Sequence, residues 1–293
     1  MAPTNQPRIG ITIGDAGGIG PEVVAKTLRD PFLPKGARFQ VLGNAQAKPG
    51  RSTIHTARQA WQALETAVKL WKAGEIDAVV TGPVQKETLA RAGFLYTGQT
   101  EFFAARCRKQ ADDAVMVMHD KKLTVSLCST HSSLRDAIKS LTSRQIVHVG
   151  RVTETFMRNL GVKKPRIAVA GLNPHAGENG LFGTEEKKII LPAVRQLTRL
   201  GIKASGPHSP DTVFYRAMKG GFDAVICMYH DQGLIPFKLL AFTTGVNVTL
   251  GLPIIRTSPD HGTGLDIAGK NRADHSSMLA AVQLAVKLVR LRN

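Results

Sequence analysis

The chain has 293 residues, 43% hydrophobic and 21% charged, enough to bury one large core or two modest ones as a globular α/β protein. No apolar run approaches the roughly 20 residues of a membrane-spanning helix, and the N-terminal stretch lacks the basic region and long apolar run of a secretory signal. The net charge of +17 would permit a nucleic-acid partner, but the basic residues are scattered from Lys26 to Arg292, aromatic residues make up only 5%, and no nucleic-acid motif is present. The excess therefore reads as solvated surface, and neither nucleic acid nor a membrane is expected as a partner.

Residues 8–13, RIGITI, read as a short strand, followed by the glycine-rich turn GDAGGIGPE and a helix through Val23, Val24 and Ala25. Pro21 suits the first helical turn, where its missing N–H costs nothing. Two readings of the turn stay open: backbone N–H groups offered to a phosphate, or a tight turn needing glycine for its angles. It is not a GxGxxG fingerprint. A second strand is expected at 38–42. Ala57, Trp61, Leu64, Val68 and Trp71 then share one helical face, which reads as core packing, and Gly74 ends that helix. Asp77-Ala78-Val79-Val80 opens a buried strand delivering Thr81 to Lys86, so a right-handed parallel crossover is expected. Thr100 is placed as the cap of a helix beginning near Glu101, or facing a ligand.

Residues 114–118 and 123–129 read as a hairpin around His119-Asp120-Lys121-Lys122, ending in Ser129-Thr130-His131. A helix from about Ser143 buries Ile146, Val149, Phe156 and Leu160 and stops at Gly161. Another apolar strand, 166–171, runs into Leu172-Asn173-Pro174-His175-Ala176-Gly177-Glu178. A helix starting at Thr184-Glu185-Glu186 carries Ile190, Val194 and Leu197. The apolar run 224–228 is a buried strand that breaks at Tyr229 into His230-Asp231-Gln232-Gly233, and Lys238, Asn247 and Arg256 follow as donors for an anion. Met278, Val282, Ala285 and Val289 mark a final helix, and no internal repeat is evident.

His131, His175 and His230 each follow a predicted buried strand, too far apart for a local zinc-finger loop. Strand ends converge on one edge of a parallel sheet, so three imidazoles could meet there around a catalytic divalent metal, most readily zinc. Singly, each also reads as a hydrogen-bonded loop residue. His55 and His148 on predicted helices, His119 in a turn, and His208 and His275 in polar loops read as surface. His261 belongs to PDHGTGLDIAGK, a glycine-rich loop with Gly262 and Asp266 that suits the adenosine end of a nucleotide. Asp231 reads as a partner of His230, a base, or a solvated carboxylate. Cys107, Cys128 and Cys227 are odd in number and widely spaced, which fits a reducing cytoplasm.

Through GDAGGIGPE, VTGPVQK, TGQTEFF, Thr130-His131, LNPHAGE with GTEE, MYHDQG, GVNVTLGLP and IRTSPDHGTGLDIAG, the chain resembles the 4-hydroxythreonine-4-phosphate dehydrogenase family of pyridoxal phosphate biosynthesis. These motifs run in order from Gly14 to Gly269. The last of them is also similar to the nucleotide loop of the isocitrate and isopropylmalate dehydrogenases. The resemblance implies a two-lobed, three-layer α/β/α fold, with 1–98 and 267–293 in one lobe and 99–266, bearing the metal and substrate residues, in the other. It further implies NAD- or NADP-linked oxidation of 4-phosphohydroxy-L-threonine to a 3-oxo acid that decarboxylates to 3-amino-2-oxopropyl phosphate. By the same resemblance His131, His175 and His230 hold a divalent metal (zinc, with magnesium and cobalt as alternatives) in a site shared between two subunits of a homodimer. Gln99, Thr100, Lys238, Asn247 and Arg256 would bind substrate, His261, Gly262 and Asp266 the nucleotide, and Lys238 and Asp231 would be catalytic. Three departures stand out: Gln99 where the family commonly has His, Gln85 where Asn or His is common, and Asp15-Ala16-Gly17-Gly18 for the usual Asp-Pro-Ala-Gly. Phosphorylated threonate or erythronate, or a cyclic dihydrodiol, are therefore the alternative substrates.

Overall fold

A computed structural model describes residues 6–292. The chain begins with β1 (Arg8–Thr12), α1 (Gly20–Arg29), β2 (Arg38–Leu42), α2 (Ile54–Lys72), β3 (Ala78–Thr81), α3 (Lys86–Arg91) and α4 (Gln99–Arg106). Next come β4 (Val115–His119), β5 (Thr124–Leu127), α5 (Leu134–Ser140), α6 (Ser143–Asn159), β6 (Ile167–Ala170), α7 (Leu191–Arg199), β7 (Ala204–His208), α8 (Pro210–Met218), β8 (Ala224–Cys227) and α9 (His230–Ala241). The chain closes with β9 (Val246–Leu250), β10 (Ile255–Pro259) and α10 (Ser276–Arg292). No helix among the described residues is long and apolar enough to cross a membrane.

Two compact units form, one from residues up to Ala114 together with those from Thr243 onward, the other Val115–Phe242. Residues 99–114 and 243–266, which the sequence expectation assigns to the second lobe, pack in the first unit, where β10 pairs in register with β3.

In the first unit the strands lie in the order β2-β1-β3-β10-β9, parallel except for β9. Successive strand side chains point to opposite faces. Val79 accordingly faces the cluster of Ala57, Leu64, Val68, Phe102 and Phe103 from α2 and α4. On the opposite face Thr257 Oγ1 donates to the Ala281 carbonyl of α10 at 2.9 Å. Thr53 and Thr56 form a reciprocal cap at the start of α2, and Trp61 and Trp71 pack half-buried on its core, as the spacing predicts. The cap of α4 is Gly98, not Thr100; Thr100 is already inside the first turn.

The second unit orders its strands β4-β5-β8-β6-β7, with the β4–β5 hairpin antiparallel and the rest parallel. Val125, Leu127, Val225 and Cys227 pack with residues of α8 and α9, while Ser126, facing the other way, accepts from Thr153 of α6 at 2.7 Å. Burial pushes the Cys128 and Cys227 thiols well up, so both stay protonated. Three histidines expected at the surface are half-buried with partners. His119 ends β4 with Nδ1 2.9 Å from Thr124 Oγ1, His208 ends β7 with Nε2 2.9 Å from Ser205 Oγ, and His275 Nε2 lies 2.8 Å from Asp30.

One device appears in both units. Arg8 and Asp77 precede neighbouring core residues of β1 and β3, joined by Nη2–Oδ1 at 2.6 Å and by the Arg8 backbone N–H to Oδ2 at 2.8 Å. Arg166 and Asp223 do the same ahead of β6 and β8, at 3.0 and 2.7 Å. Each pair fixes the register of two parallel strands joined by a crossover.

Candidate active site

Arg256 is the centre of the first unit's polar cluster. It lies on β10 opposite Thr249 of β9 and beside Val79 of β3, and Thr81 is two residues beyond Val79 on the same face. Strand alternation thus delivers Arg256, Thr81, Thr249 and Asn247 to one side of the sheet. Arg256 is 5% exposed, and its guanidinium makes four contacts: Nε and Nη2 to Thr81 Oγ1 at 3.0 and 2.7 Å, Nη1 to Thr249 Oγ1 at 3.0 Å, and Nη2 to Gln99 Oε1 at 3.1 Å. All three acceptor atoms are neutral. Burial lowers this guanidinium well below its ordinary range, to about 10, with Glu101 pulling the other way. It is still charged at neutral pH, and a buried cation without a carboxylate partner is costly unless an anion joins it. Asn247 adds a buried Oδ1 with no hydrogen-bond partner. Thr100 is half-buried on α4, beside Gln99.

The glycine-rich loop after β1 resolves in favour of packing. Gly17 N–H donates to Asp15 Oδ1 at 3.0 Å, Gly18 N–H to the Asp15 carbonyl at 3.0 Å, and Ile19 N–H to the Thr263 carbonyl at 2.8 Å. With those amides spent, the loop has none of them left to cradle a phosphate. A β-carbon at Gly17 would collide with the Arg51 carbonyl, and one at Gly18 with that of Thr263. In the Thr263 loop, His261 Nδ1 lies 3.0 Å from the Gly262 carbonyl and its Nε2 is buried without a partner. Gly262 faces open space and Asp266 is exposed. An orphaned imidazole nitrogen beside an open glycine fits a base or ribose of a dinucleotide.

In the second unit β5, β6 and β8 run parallel, so His131, His175 and His230 all leave the sheet at its C-terminal edge, as predicted. His131 and His230 stand together, ring centroids 5.8 Å apart, and line a cavity of about 320 Å³ with Ser129, Thr130, Tyr229 and Asp231. Asp231 Oδ1 is 2.7 Å from His230 Nδ1, leaving Nε2 as the nitrogen available to a ligand. His175 does not join them: among the described residues no group of three His, Cys, Asp or Glu side chains is arranged to hold a metal ion. The donor chemistry of the His131–His230 pair fits part of a divalent-metal set. Lys238, on α9, is half-buried with its ammonium 5.8 Å from the Phe242 ring centroid.

The turn carrying His175 is left-handed. His175, Ala176, Gly177, Glu178 and Asn179 all have positive φ, between 38° and 78°. A run of this hand costs about 1–2 kcal/mol for each residue other than glycine, so neighbours must impose it. Glu186, 4% exposed, does so: its Oε1 accepts from Leu172 N–H at 2.8 Å and Asn173 N–H at 2.7 Å, and its Oε2 from Asn173 Nδ2 at 2.9 Å. Gln232 ties the adjoining strand ends, accepting from Met228 N–H and donating to the Gly171 carbonyl, both at 2.7 Å. Sequence reasoning assigned no role to Thr81, Thr249, Glu186 or Gln232. Buried polar side chains within motif segments were the available signal.

Residues 22–285 match the family of the pyridoxal phosphate biosynthetic protein PdxA. The chain belongs to this family. It is 40% identical to the 4-hydroxythreonine-4-phosphate dehydrogenase of Geobacter metallireducens, over 99% of this chain and 98% of that protein. It is also 40% identical to the D-threonate 4-phosphate dehydrogenase of Pectobacterium atrosepticum, over 96% and 98%. The crystal structure of 4-hydroxythreonine-4-phosphate dehydrogenase from Klebsiella pneumoniae aligns with a TM-score of 0.83 at 37% identity, covering 97% of this chain and 99% of that one. Isocitrate dehydrogenase from Methylococcus capsulatus, at 14% identity and a TM-score of 0.53, shares the fold, as the sequence predicts.

Proposed function

We propose that this PdxA-family protein is a cytoplasmic dehydrogenase that oxidises the C3 hydroxyl of 4-phosphohydroxy-L-threonine with NAD or NADP. The 3-oxo acid formed loses carbon dioxide to give 3-amino-2-oxopropyl phosphate, on the route to pyridoxal phosphate. The observation carrying the reading is Arg256, a buried cation whose hydrogen-bond acceptors are all neutral oxygens. A phosphate dianion would supply the charge that this pocket lacks, taking by a charge-assisted bond the one guanidinium N–H, on Nη1, that these contacts do not use. Asn247 Oδ1, buried without a partner, would accept from the substrate's ammonium or hydroxyl group.

Of the remaining residues, His131 and His230 would hold the divalent metal, zinc first, with His175 as the third ligand. When bound, the metal supplies Lewis acidity at the substrate oxygens. Two of the three histidines standing together in one chain is compatible with a site shared by two subunits. The exposed stripe of Ile235, Leu239 and Phe242 on and just beyond α9 supports a homodimer. Asp231 orients His230, and Lys238 moves the hydroxyl proton. His261, Gly262 and Asp266 would hold the adenosine end of the nicotinamide cofactor, which would supply the hydride acceptor.

D-Threonate 4-phosphate is the second reading, favoured by the relative of that name at equal identity. It shares the phosphate and the oxidisable hydroxyl but lacks the ammonium. The test is reduction of NAD and NADP with each substrate, before and after chelation and metal re-addition. Turnover of the hydroxythreonine phosphate that vanishes with chelator supports the assignment. Preference for the threonate moves it to the second substrate, and turnover of neither by metal-loaded protein overturns both.

A further inference from the structure

The carboxamide of Gln99 has both ends committed. Its Nε2 donates to the Gly82 carbonyl at 3.1 Å, and its Oε1 accepts from Arg256 Nη2 at 3.1 Å. The assignment follows from chemistry, because a carbonyl only accepts and a guanidinium only donates. Gly82 is itself fixed, its N–H donating to the Thr12 carbonyl at 2.9 Å, and a β-carbon there would collide with the Ile13 carbonyl. The rigid end of β3 is thereby linked through one amide to a buried cation on β10. Of the two amide hydrogens of Gln99 one is engaged at Gly82, and its oxygen is engaged at Arg256.

We propose that Gln99 is a positioning residue: it aims the Arg256 guanidinium at the phosphoryl group, and its neutrality preserves the positive charge that binds it. The proposal rests on the anion pocket of the proposed function and goes further by assigning how that pocket is oriented and kept cationic. A carboxylate at this position would hold Arg256 equally well and cancel its charge. An aliphatic side chain would leave the charge and lose the aim. A histidine would bridge the same two groups while neutral and lose its acceptor when protonated.

Inorganic phosphate is the probe, titrated calorimetrically into the full-length protein and its variants, so the measurement is independent of turnover. Gln99→Leu is expected to weaken phosphate binding about 10-fold, the scale of one hydrogen bond to a charged group. Gln99→Glu is expected to lose binding while melting no lower than the wild type. Gln99→His should bind within about threefold of wild type at pH 8, and its ratio to wild type should fall as pH drops through about 6.5, where imidazole gains its proton. A merely structural role would move none of these in that pattern. Wild-type affinity in both Gln99→Leu and Gln99→Glu overturns the proposal, as does a wild type that fails to bind phosphate at millimolar concentration. Phosphate binding with this variant pattern, in a protein that turns over no tested substrate, upholds it and removes only the substrate assignment.

Discussion

Thr81 Oγ1 accepts from both Nε and Nη2 of Arg256, at 3.0 and 2.7 Å. One hydroxyl at the end of β3 thus satisfies two donors of a buried cation on the neighbouring strand. Thr81→Val keeps the shape and removes the acceptor, and is expected to destabilise the protein by about 1.5–3 kcal/mol. Saturating phosphate should restore part of that loss. Denaturant melts with and without phosphate check it; equal losses under both conditions would detach Thr81 from the anion pocket.

Arg256→Ala should raise KM for the phosphorylated substrate by about 10²-fold or more and lower kcat much less, as loss of a charge-assisted pair in the ground state does. The pH dependence has a definite sign. Burial lowers the guanidinium to about 10, so phosphate affinity should fall as pH rises through that value, earlier than for an ordinary arginine. Phosphate binding flat from pH 8 to 11 would show that burial does not lower this guanidinium, and unchanged phosphate affinity in Arg256→Ala would remove Arg256 from the site.

Asp231 fixes the ring of His230 through Nδ1 at 2.7 Å. Asp231→Asn is expected to weaken zinc binding about 10–100-fold, the usual cost of losing such a carboxylate. Competition against a chromophoric chelator measures it, and unchanged affinity would mean that the pair is ornamental to metal binding.

Asp223 titrates below the ordinary carboxylate range: burial pushes it up, and the Arg166 side chain and backbone N–H outweigh that. A folded value below the unfolded one gives stability that is present above about pH 4 and is lost as pH falls through the folded value. Asp223→Asn should lower Tm at pH 7 by about 2–4 °C and flatten the fall in Tm between pH 5 and pH 2.5. An unchanged acid slope would place the linkage elsewhere.

At Gly177, φ is +78°, and a β-carbon would lie 2.6 Å from Glu186 Oε2. Gly177→Ala should therefore cost about 1–2 kcal/mol from the backbone alone and lower kcat by displacing His175. Urea unfolding together with initial rates separates the two effects.

Much of this was legible because it is periodic. The short apolar runs became β1, β3, β5, β6 and β8, and the apolar face of Ala57, Leu64 and Val68 became α2. Placement of all three histidines at one sheet edge followed from parallel pairing. What escaped was set by register or by the sign of φ. Thr81 and Thr249 are distant in sequence and meet Arg256 only because β3, β10 and β9 align as they do. The left-handed turn at His175 has no periodic signature, and PHAGEN reads as any loop. His230-Asp231-Gln232-Gly233 looked like a loop because polar residues and a glycine open α9, which also contains Pro236. The first glycine loop announced its composition, but choosing between its two readings required knowing where the amides donate.

That loop sets a limit on the chain's future. Gly17 and Gly18 have backbone oxygens of distant segments where a side chain would begin, and their amides are engaged. Mutational drift therefore has no gradual path through this stretch. In a saturation library selected for soluble protein, these positions should remain monochrome while the solvated, lysine-rich surface varies freely, and a new phosphate-binding activity would have to arise elsewhere on the sheet.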